Sequence, residues 1–150
     1  KSMKSRRMQN TELALLIDRL MRRIHSGLHA KAHVFDTERV GPGGGFVLLA
    51  IADMGCPELH ELTKRVARDK SQMTRTIRAL EPKGLVARNT ASHDARVTLV
   101  SLTDSGEDTE RAIQQAVAET IGEILAPISK SEEDMLKSLL HRTLAESSSA

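Results

Sequence analysis

Apolar side chains recur along the chain with the period of amphipathic helices, and this pattern predicts a mainly helical fold. From Thr11 to about Phe35 they recur at steps of three and four residues, as they do on one face of a helix. The members of this stripe are Leu13, Leu16, Ile17, Leu20, Ile24 and Leu28. A helix of that length would extend about 37 Å at 1.5 Å per residue. GPGGG at 41–45 is then expected to interrupt it, because proline and glycine continue a helix at the highest cost.

Two shorter helices are predicted in the residues that follow. In FVLLAIADMG, residues 46–55, nearly every side chain is apolar, which indicates a helix that is buried on all sides. The next helix, PELHELTKRVA, is expected to begin at Pro57, a residue that suits the first helical position. Its inward-facing side chains are expected to be Leu59, Leu62 and Val66.

A further helix, in DKSQMTRTIRALEPKG, is predicted to be apolar on one face and polar on the other. Asp69 and Gln72 have the spacing of a capping box, with Asp in place of the usual Ser or Thr, and Gly84 is expected to end the helix. The apolar stripe consists of Met73, Ile77 and Leu80, and the other face carries Ser71, Gln72, Arg75 and Arg78.

A β-hairpin and two more helices complete the predicted fold. LVARN and VTLVSLT have the composition of strands, with TASHDAR as the loop between them. Thr103 can cap a helix that runs to about Ala126 and ends at Pro127, and Ser131 is expected to open the last helix. The inward positions of these two helices are expected to be Ile113, Ala116, Val117, Thr120, Ile121, Ile124, Leu125, Met135, Leu136, Leu139, Leu140 and Leu144.

Charge is distributed unevenly, although the formal total is only +2. Residues 1–59 carry 9 basic and 6 acidic side chains, residues 60–102 carry 9 and 4, and residues 103–150 carry 4 and 10. The basic middle segment suggests an element that binds a polyanion, on a scaffold that does not touch it. An unevenly charged, solvated surface would give similar totals.

Length and composition also indicate the cellular compartment and the number of domains. The 150 residues suit one domain, or one domain with dimerisation arms. One cysteine cannot form an internal disulfide, and no apolar run approaches the roughly 18 residues that span a bilayer. KSMKSRRMQN at the N-terminus is basic but is followed by no apolar segment, so we do not expect a signal peptide. These features predict a soluble, cytoplasmic protein.

Two short helices followed by a hairpin, all in the basic segment, are typical of a winged helix-turn-helix that binds duplex DNA. Its second helix fits the major groove, where Gln suits adenine and Arg suits guanine or phosphate. Lys64, Arg65 and Arg68 would contact phosphates, which position a protein without specifying a sequence. A solvated amphipathic helix is the alternative. The candidate DNA-binding residues are Lys64, Arg68, Lys70, Ser71, Gln72, Thr74, Arg75, Arg78, His93, Asp94 and Arg96.

One stretch resembles the MarR (multiple antibiotic resistance regulator) family of transcription factors. The similarity covers about 45 residues, in ELTKRVARDKSQMTRTIRALEPKGLVARN and then in Asp94, Arg96, Val100, Leu102, Thr103 and Gly106 at the matching steps. The resemblance implies that Arg96 enters the minor groove and that Asp94 orients it or a neighbouring Arg. A·T-rich minor grooves, which are narrow, attract such an arginine.

The resemblance also implies an obligate homodimer that binds a pseudo-palindromic operator, most often as a repressor. Residues 11–35 and 103–146 would form an intertwined helical dimerisation domain, and residues 46–102 the winged helix-turn-helix. Residues 1–10 and 147–150 are expected to be flexible ends. Unpaired apolar faces on the first and fifth helices agree with a dimer.

Effectors of the family are mostly small aromatic anions, held between the dimerisation helices and the winged helix. With no Trp or Tyr and only two Phe, this chain has little aromatic surface for gripping a ring. The candidate ligand-binding residues are His29, Phe46 and Met54. GPGGG is interpreted as a loop or as a mobile joint at the edge of the cleft.

Two alternative triggers remain open. His25, His29 and His33 lie four residues apart on the first helix, so neighbouring imidazoles could share a metal ion, although a solvated row is the other interpretation. Cys56 precedes Pro57, and a thiol at a helix N-terminus has a lowered pKa, so it is a candidate redox sensor or a plain buried thiol. Neither metal nor any other cofactor is otherwise expected.

No enzyme is predicted, because no nucleophile has a base and an orienting group at a recognisable spacing. An enzyme would have to use His93 and Asp94, which are better explained as residues of the hairpin loop. The remaining alternative is a winged-helix module that binds a protein, and the exposed Arg75, Arg78 and Arg96 argue against it.

Overall fold

The computed structural model describes residues 3–36, 38–66 and 68–145. Within them, six helices and a two-stranded antiparallel sheet follow one another as α1(Met3–Phe35), α2(Gly41–Met54), α3(Leu59–Val66), α4(Lys70–Leu80), β1(Val86–Ala91), β2(Asp94–Leu102), α5(Asp104–Leu125) and α6(Lys130–Leu144). This order confirms the predicted mainly α fold with a small hairpin. Among the described residues, none of the helices has the length and apolar character needed to cross a membrane.

Helix α1 begins at Met3, eight residues before the predicted start at Thr11. Residues 3–10, expected to be a flexible end, are therefore helical, because MKSRRMQN contains good helix formers and no proline or glycine. The predicted flexible residues 147–150 lie outside the described residues. Only the second half of the apolar stripe packs well, with Leu28 buried, while Leu13 and Ile17 are exposed.

Helix α2 begins at Gly41, so the interpretation of GPGGG as a loop or mobile joint is wrong. Pro42 fits because the first turn of a helix needs no N–H there. The Asp36 carboxylate accepts hydrogen bonds from the amides of Val40 (2.6 Å) and Gly41 (2.9 Å), which stabilises this end. A Cβ on Gly44 would lie 2.6 Å from Cγ1 of Val40, so close packing favours glycine there.

The hydrophobic core lies between α2, the two short helices, the hairpin and the middle of α5. Helix α2 is buried nearly all round, as predicted. Helix α4 buries its predicted stripe, and Leu62 of α3 packs against it. The buried core residues are Val47, Leu48, Ile51, Leu62, Met73, Ile77, Leu80, Leu85, Val86, Val100 and Ile113.

Helix α3 begins at Leu59, two residues after the predicted start at Pro57. The carbonyl of Pro57 accepts a hydrogen bond from the amide of Val100 (2.9 Å), and Glu58 forms an isolated bridge with Leu99. Residues 57 and 58 thus pair with β2, and this pairing outweighs the preference of proline for the first helical turn.

The hairpin strands are longer than predicted, and the loop shrinks to Ser92 and His93. Pairing is regular from Val86 with Leu102 to Thr90 with Thr98, and then shifts so that Ala91 pairs with Asp94. Residues 95–97 of β2 consequently have no partners on β1. Such a bulge bends a strand and re-aims its side chains.

Both C-terminal helices have side-chain caps. Thr103 caps α5 as predicted, with its hydroxyl accepting a hydrogen bond from the Gly106 amide (3.0 Å). A Cβ on Gly106 would overlap the carbonyl oxygen of Leu85, so this close approach requires glycine. Helix α6 begins at Lys130 and is capped by Ser129 with Glu132 in a capping box, so the predicted start at Ser131 is one residue late.

Candidate nucleic-acid interface

The exposed face of α4 gathers polar side chains that the sequence assigned to DNA binding. The Asp69 carboxylate caps the helix by accepting a hydrogen bond from the Gln72 amide (2.8 Å). Burial of the opposite face leaves Ser71, Gln72, Arg75 and Arg78 exposed, as predicted. Five side chains of this helix line one shallow groove: Lys70, Ser71, Thr74, Arg75 and Arg78.

At the tip of the hairpin, the bulge presents Arg96 to solvent. Its side chain is 90% exposed. The Asp94 carboxylate accepts hydrogen bonds from the Arg96 backbone amide (2.9 Å) and from its Nε (3.2 Å). These contacts lower the pKa of Asp94, first through the backbone amide and then through the guanidinium. The Asp94 carboxylate is therefore paired with Arg96, whereas His93 lies exposed in the turn.

A cleft of about 360 Å³ lies between the hairpin and α4. Lys70 and Thr74 of α4 line it together with Arg96 of β2. The fold thus brings candidate DNA-binding residues of α4 close to one of the hairpin that lies over twenty residues later in the chain. Sequence reasoning missed the cleft residues from the start of α3. Only His60 gave a signal of position, because it falls on the face of α3 away from Leu62 and is exposed. The missed lining residues are Glu58, Leu59, His60, Thr63, Val97 and Thr98.

Of the basic residues in and beside α3, some are exposed to solvent and others bond to neighbouring helices. Lys64 is exposed as predicted, while Arg65 forms an ion pair with Asp53 of α2 and stays more than half exposed. Arg68 corrects the prediction of a phosphate contact. Its Nη2 donates to the carbonyl of Gly43 (3.1 Å) and its Nη1 to the hydroxyl of Thr76 (3.5 Å), half-buried between α2 and α4. Arg68 therefore links these helices.

A separate cavity of about 60 Å³ lies between α1, α2 and α5. Its lining includes His29 and Phe46, two of the three predicted ligand-binding residues. Met54, the third, corrects the prediction: it is the last residue of α2, and the cavity lies at the first turns of that helix. The cavity and the hairpin cleft are thus two distinct sites.

The candidate metal and thiol residues occupy the surface. His25, His29 and His33 are exposed on α1, and the ring centroid of His25 lies 6.4 Å from that of Phe46. The described part of the chain holds no group of three or more His, Cys, Asp or Glu that could bind a metal ion. Cys56 is exposed and lies three residues before α3, so it is neither a buried thiol nor at the helix N-terminus.

Comparison with known proteins finds similarity over the segment that contains these contacts. The model of the MarR family matches residues 45–98, from α2 to the strand that carries Arg96. A Bacillus subtilis protein described as the uncharacterized HTH-type transcriptional regulator YdgJ is 35% identical over 82 residues. This alignment covers 55% of the chain and 50% of that protein, so the chain matches about half the length of this curated relative.

Solved structures match over nearly the whole chain. A cysteine-to-serine mutant of MarR from E. coli, in complex with operator DNA, is 26% identical with a TM-score of 0.78, covering 91% of this chain and 96% of that one. The PcaV transcriptional regulator of Streptomyces coelicolor, in complex with its natural ligand, is 23% identical with a TM-score of 0.72, covering 85% and 88%. The second likeness concerns the fold alone.

Proposed function

We propose that this protein regulates transcription by binding a specific duplex DNA sequence, because residues 45–98 match the model of the MarR family and fold as a winged helix-turn-helix. The single observation that carries the proposal is the cleft in which Arg96 of the wing faces Lys70 and Thr74 of α4. Members of the family are transcription regulators, not enzymes. His93 and Asp94 accordingly receive no catalytic role.

Docking follows from the two exposed elements. Helix α4 enters the major groove, where Gln72 and Arg75 reach base edges, and the wing brings Arg96 to the adjacent minor groove. Lys64 and Lys70 are exposed near this surface and contact phosphates, which fix the register without reading sequence. The relative from E. coli, whose structure contains operator DNA, supports this arrangement.

The active form in this proposal is a cytoplasmic homodimer. Helices α1, α5 and α6 form its dimerisation domain, and residues 46–102 form the DNA-binding domain. Support comes from the exposed apolar side chains of α1 and α6, since a soluble monomer rarely leaves a large contiguous apolar surface in water. A two-fold dimer reads a pseudo-palindrome whose half-sites lie about 34 Å apart.

Repression in this proposal is relieved by a small molecule in the cavity between α1, α2 and α5. Gly41 and Pro42 line that cavity, and the next residue, Gly43, accepts a hydrogen bond from Arg68. Arg68 also donates to Thr76 of α4. A ligand that displaces the first turn of α2 would therefore move the DNA-reading helix, provided that it binds the two conformations unequally.

Selection of bound duplexes from a random pool tests DNA recognition. We expect enrichment of a pseudo-palindrome, and an affinity for it that falls steeply with salt because Lys and Arg displace counterions from phosphates. A matched control is the Gln72→Ala and Arg75→Ala double variant, which should bind DNA weakly and enrich no motif. If the wild-type chain enriches no sequence over the input pool, the proposal is wrong.

A further inference from the structure

The cavity between α1, α2 and α5 has an unusual charge for a site that is expected to hold an anion. Its wall is mostly aliphatic, from Leu28, Leu49, Ile113 and Val117. Among the residues that the structure describes, no Lys or Arg lines it, and the polar side chains are those of His29 and Asp36. Asp36 is therefore the one carboxylate among the described residues that line the cavity, and no lysine or arginine faces it there.

Asp36 occupies the position at which an anion would otherwise bind. The N-terminus of a helix attracts anions through its free amides and its dipole. Here the amide of Gly41 already donates to the Asp36 carboxylate, as does that of Val40, and Pro42 has no N–H to offer. An anionic ligand at the start of α2 would meet a carboxylate where it needs a donor.

Burial adds to this charge argument. A carboxylate moved from water into an aliphatic cavity loses its hydration and recovers it only from a cation or from several N–H groups. An uncharged ligand avoids this cost and still gains from contact with the leucine and isoleucine side chains. A cation would gain less from Asp36 than its charge suggests, because two backbone amides already compensate the carboxylate.

We propose that this cavity binds a small, uncharged, mainly aliphatic molecule, with one polar group that shares a hydrogen bond with His29 or Asp36. This inference rests on the proposed function in taking the ligand to be the effector. It replaces the small anion that the family resemblance implies with a ligand class set by this chain's own residues.

Three probes with the same ring test the class directly: cyclopentanecarboxamide, cyclopentanecarboxylate and cyclopentylmethylammonium. Each is titrated into the full chain at pH 7.5 without DNA, while amide chemical shifts of Gly41, Gly45 and Phe46 are followed by NMR. The carboxamide should bind at least tenfold more tightly than either ion and should shift these amides. A carboxylate or ammonium that binds as tightly, or the absence of carboxamide binding at these amides, would overturn the proposal.

Two variants tie the result to the cavity. Asp36→Asn should bind the carboxylate several times more tightly, whereas Asp53→Asn, at the other end of α2, should leave the ratio of the probes unchanged. Because Asp36→Asn removes a capping carboxylate, Ala32→Leu provides a second variant that fills the cavity from α1. It should abolish carboxamide binding with the helical circular dichroism retained, and unaltered carboxamide binding would count against the proposal.

Release of DNA is measured separately, on the duplex enriched by selection. Release by the carboxamide supports both the ligand class and its regulatory role. If no duplex is enriched but the carboxamide binds as expected, the proposed function fails while the ligand class stands. If a duplex is enriched and only the carboxylate binds at the cavity, DNA recognition stands and the ligand class is overturned.

Discussion

Helices α4 and α6 carry apolar stripes of similar spacing, yet only α4 buries its stripe. Met73, Ile77 and Leu80 of α4 are at most 2% exposed, whereas Leu139 and Leu140 of α6 are 45% and 49% exposed. Helix α6 has no buried residue at all. The same apolar periodicity is therefore buried in one helix and exposed in the other. Helix α4 packs its stripe into the core of the winged helix, whereas α6 leaves its stripe available to contact another surface.

Helix α1 buries one part of its apolar stripe and exposes another. Its Leu28 is 3% exposed against α2 and α5, while Leu13 and Ile17, about three to four turns earlier, are more than half exposed. Helix α1 has 33 residues, and the apolar side chains of its first half that the structure describes remain exposed outside the core. The exposed half of α1 and the stripe of α6 are the surfaces that the proposed dimer would cover.

The largest expected effect comes from breaking the exposed stripe. The Leu139→Glu and Leu140→Glu double variant removes four leucine side chains per dimer, each with about half of its surface left to bury, or about 1 kcal/mol apiece. Dimerisation should weaken by about 4 kcal/mol, close to a thousandfold. Analytical ultracentrifugation measures it, with Ser138→Glu on the same helix as control. A double variant that remains dimeric at low micromolar concentration would contradict the proposed interface.

Where α5 packs against Leu85 of the winged helix, the next largest effect is expected at Gly106. A methyl group there would overlap the carbonyl oxygen of Leu85, so Gly106→Ala should lower the free energy of unfolding by about 3 kcal/mol. Gly122→Ala, on the same helix with no atom within 4 Å of the added carbon, should raise it by up to about 1 kcal/mol. Urea titrations at one protein concentration compare the two, and equal midpoints would refute the close approach.

The two arginines that are proposed to face DNA should alter DNA binding without altering the stability of the fold. Arg96→Ala and Arg75→Ala should each weaken operator binding by about 2 kcal/mol and leave the dimer intact. Arg111→Ala, an exposed arginine of α5 that pairs with Asp108, is the control and should bind normally. Fluorescence anisotropy at fixed salt measures the affinities. Wild-type affinity in both DNA-facing variants would exclude the proposed interface.

The smallest expected effect is a pH dependence at the wing. The backbone amide and then the guanidinium of Arg96 lower the pKa of Asp94 from its ordinary value of 3.8. The contribution of these contacts to folding is therefore complete above 3.8 and is lost as the pH falls through the lower folded value. Carboxyl NMR should find Asp94 titrating below 3.8, and Arg96→Ala should recover only part of the shift because its backbone amide remains. A titration at the ordinary value would refute the contact.

Local signals allowed several elements to be predicted. Asp69 caps α4 and Thr103 caps α5 as expected, because a side chain that bonds an amide three residues later needs no other part of the fold. The same rule gave the wrong cap for α6, because two serines, Ser129 and Ser131, stand near its start. Ser129 is the cap, since Glu132 lies three residues after it and completes a capping box. The predicted helix start at Pro57 was wrong for another reason. The carbonyl of Pro57 accepts a hydrogen bond from the amide of Val100 in β2, so this residue pairs with the hairpin and does not begin the helix.

The candidate site was predictable in composition but not in arrangement. The exposed face of α4 and Arg96 could be named from helical spacing and from the family motif, and their contact with DNA stays a prediction. The inward turn of Arg68 could not be named, because the carbonyl of Gly43 that it binds lies 25 residues away. Nor could Asp36, which caps α2 and gives the cavity its charge.

Residue spacing and composition were enough to predict the order of the helices and the hairpin, the polar and apolar faces of α4, and the basic character of the segment that carries Arg96. These properties depend on residue spacing within one element, which a chain carries in any conformation. Tertiary contacts establish which apolar stripe is buried, which arginine faces solvent, and that Asp36 lines the cavity. Each of those depends on contacts between residues that folding alone brings together, so no periodicity within one segment encodes them.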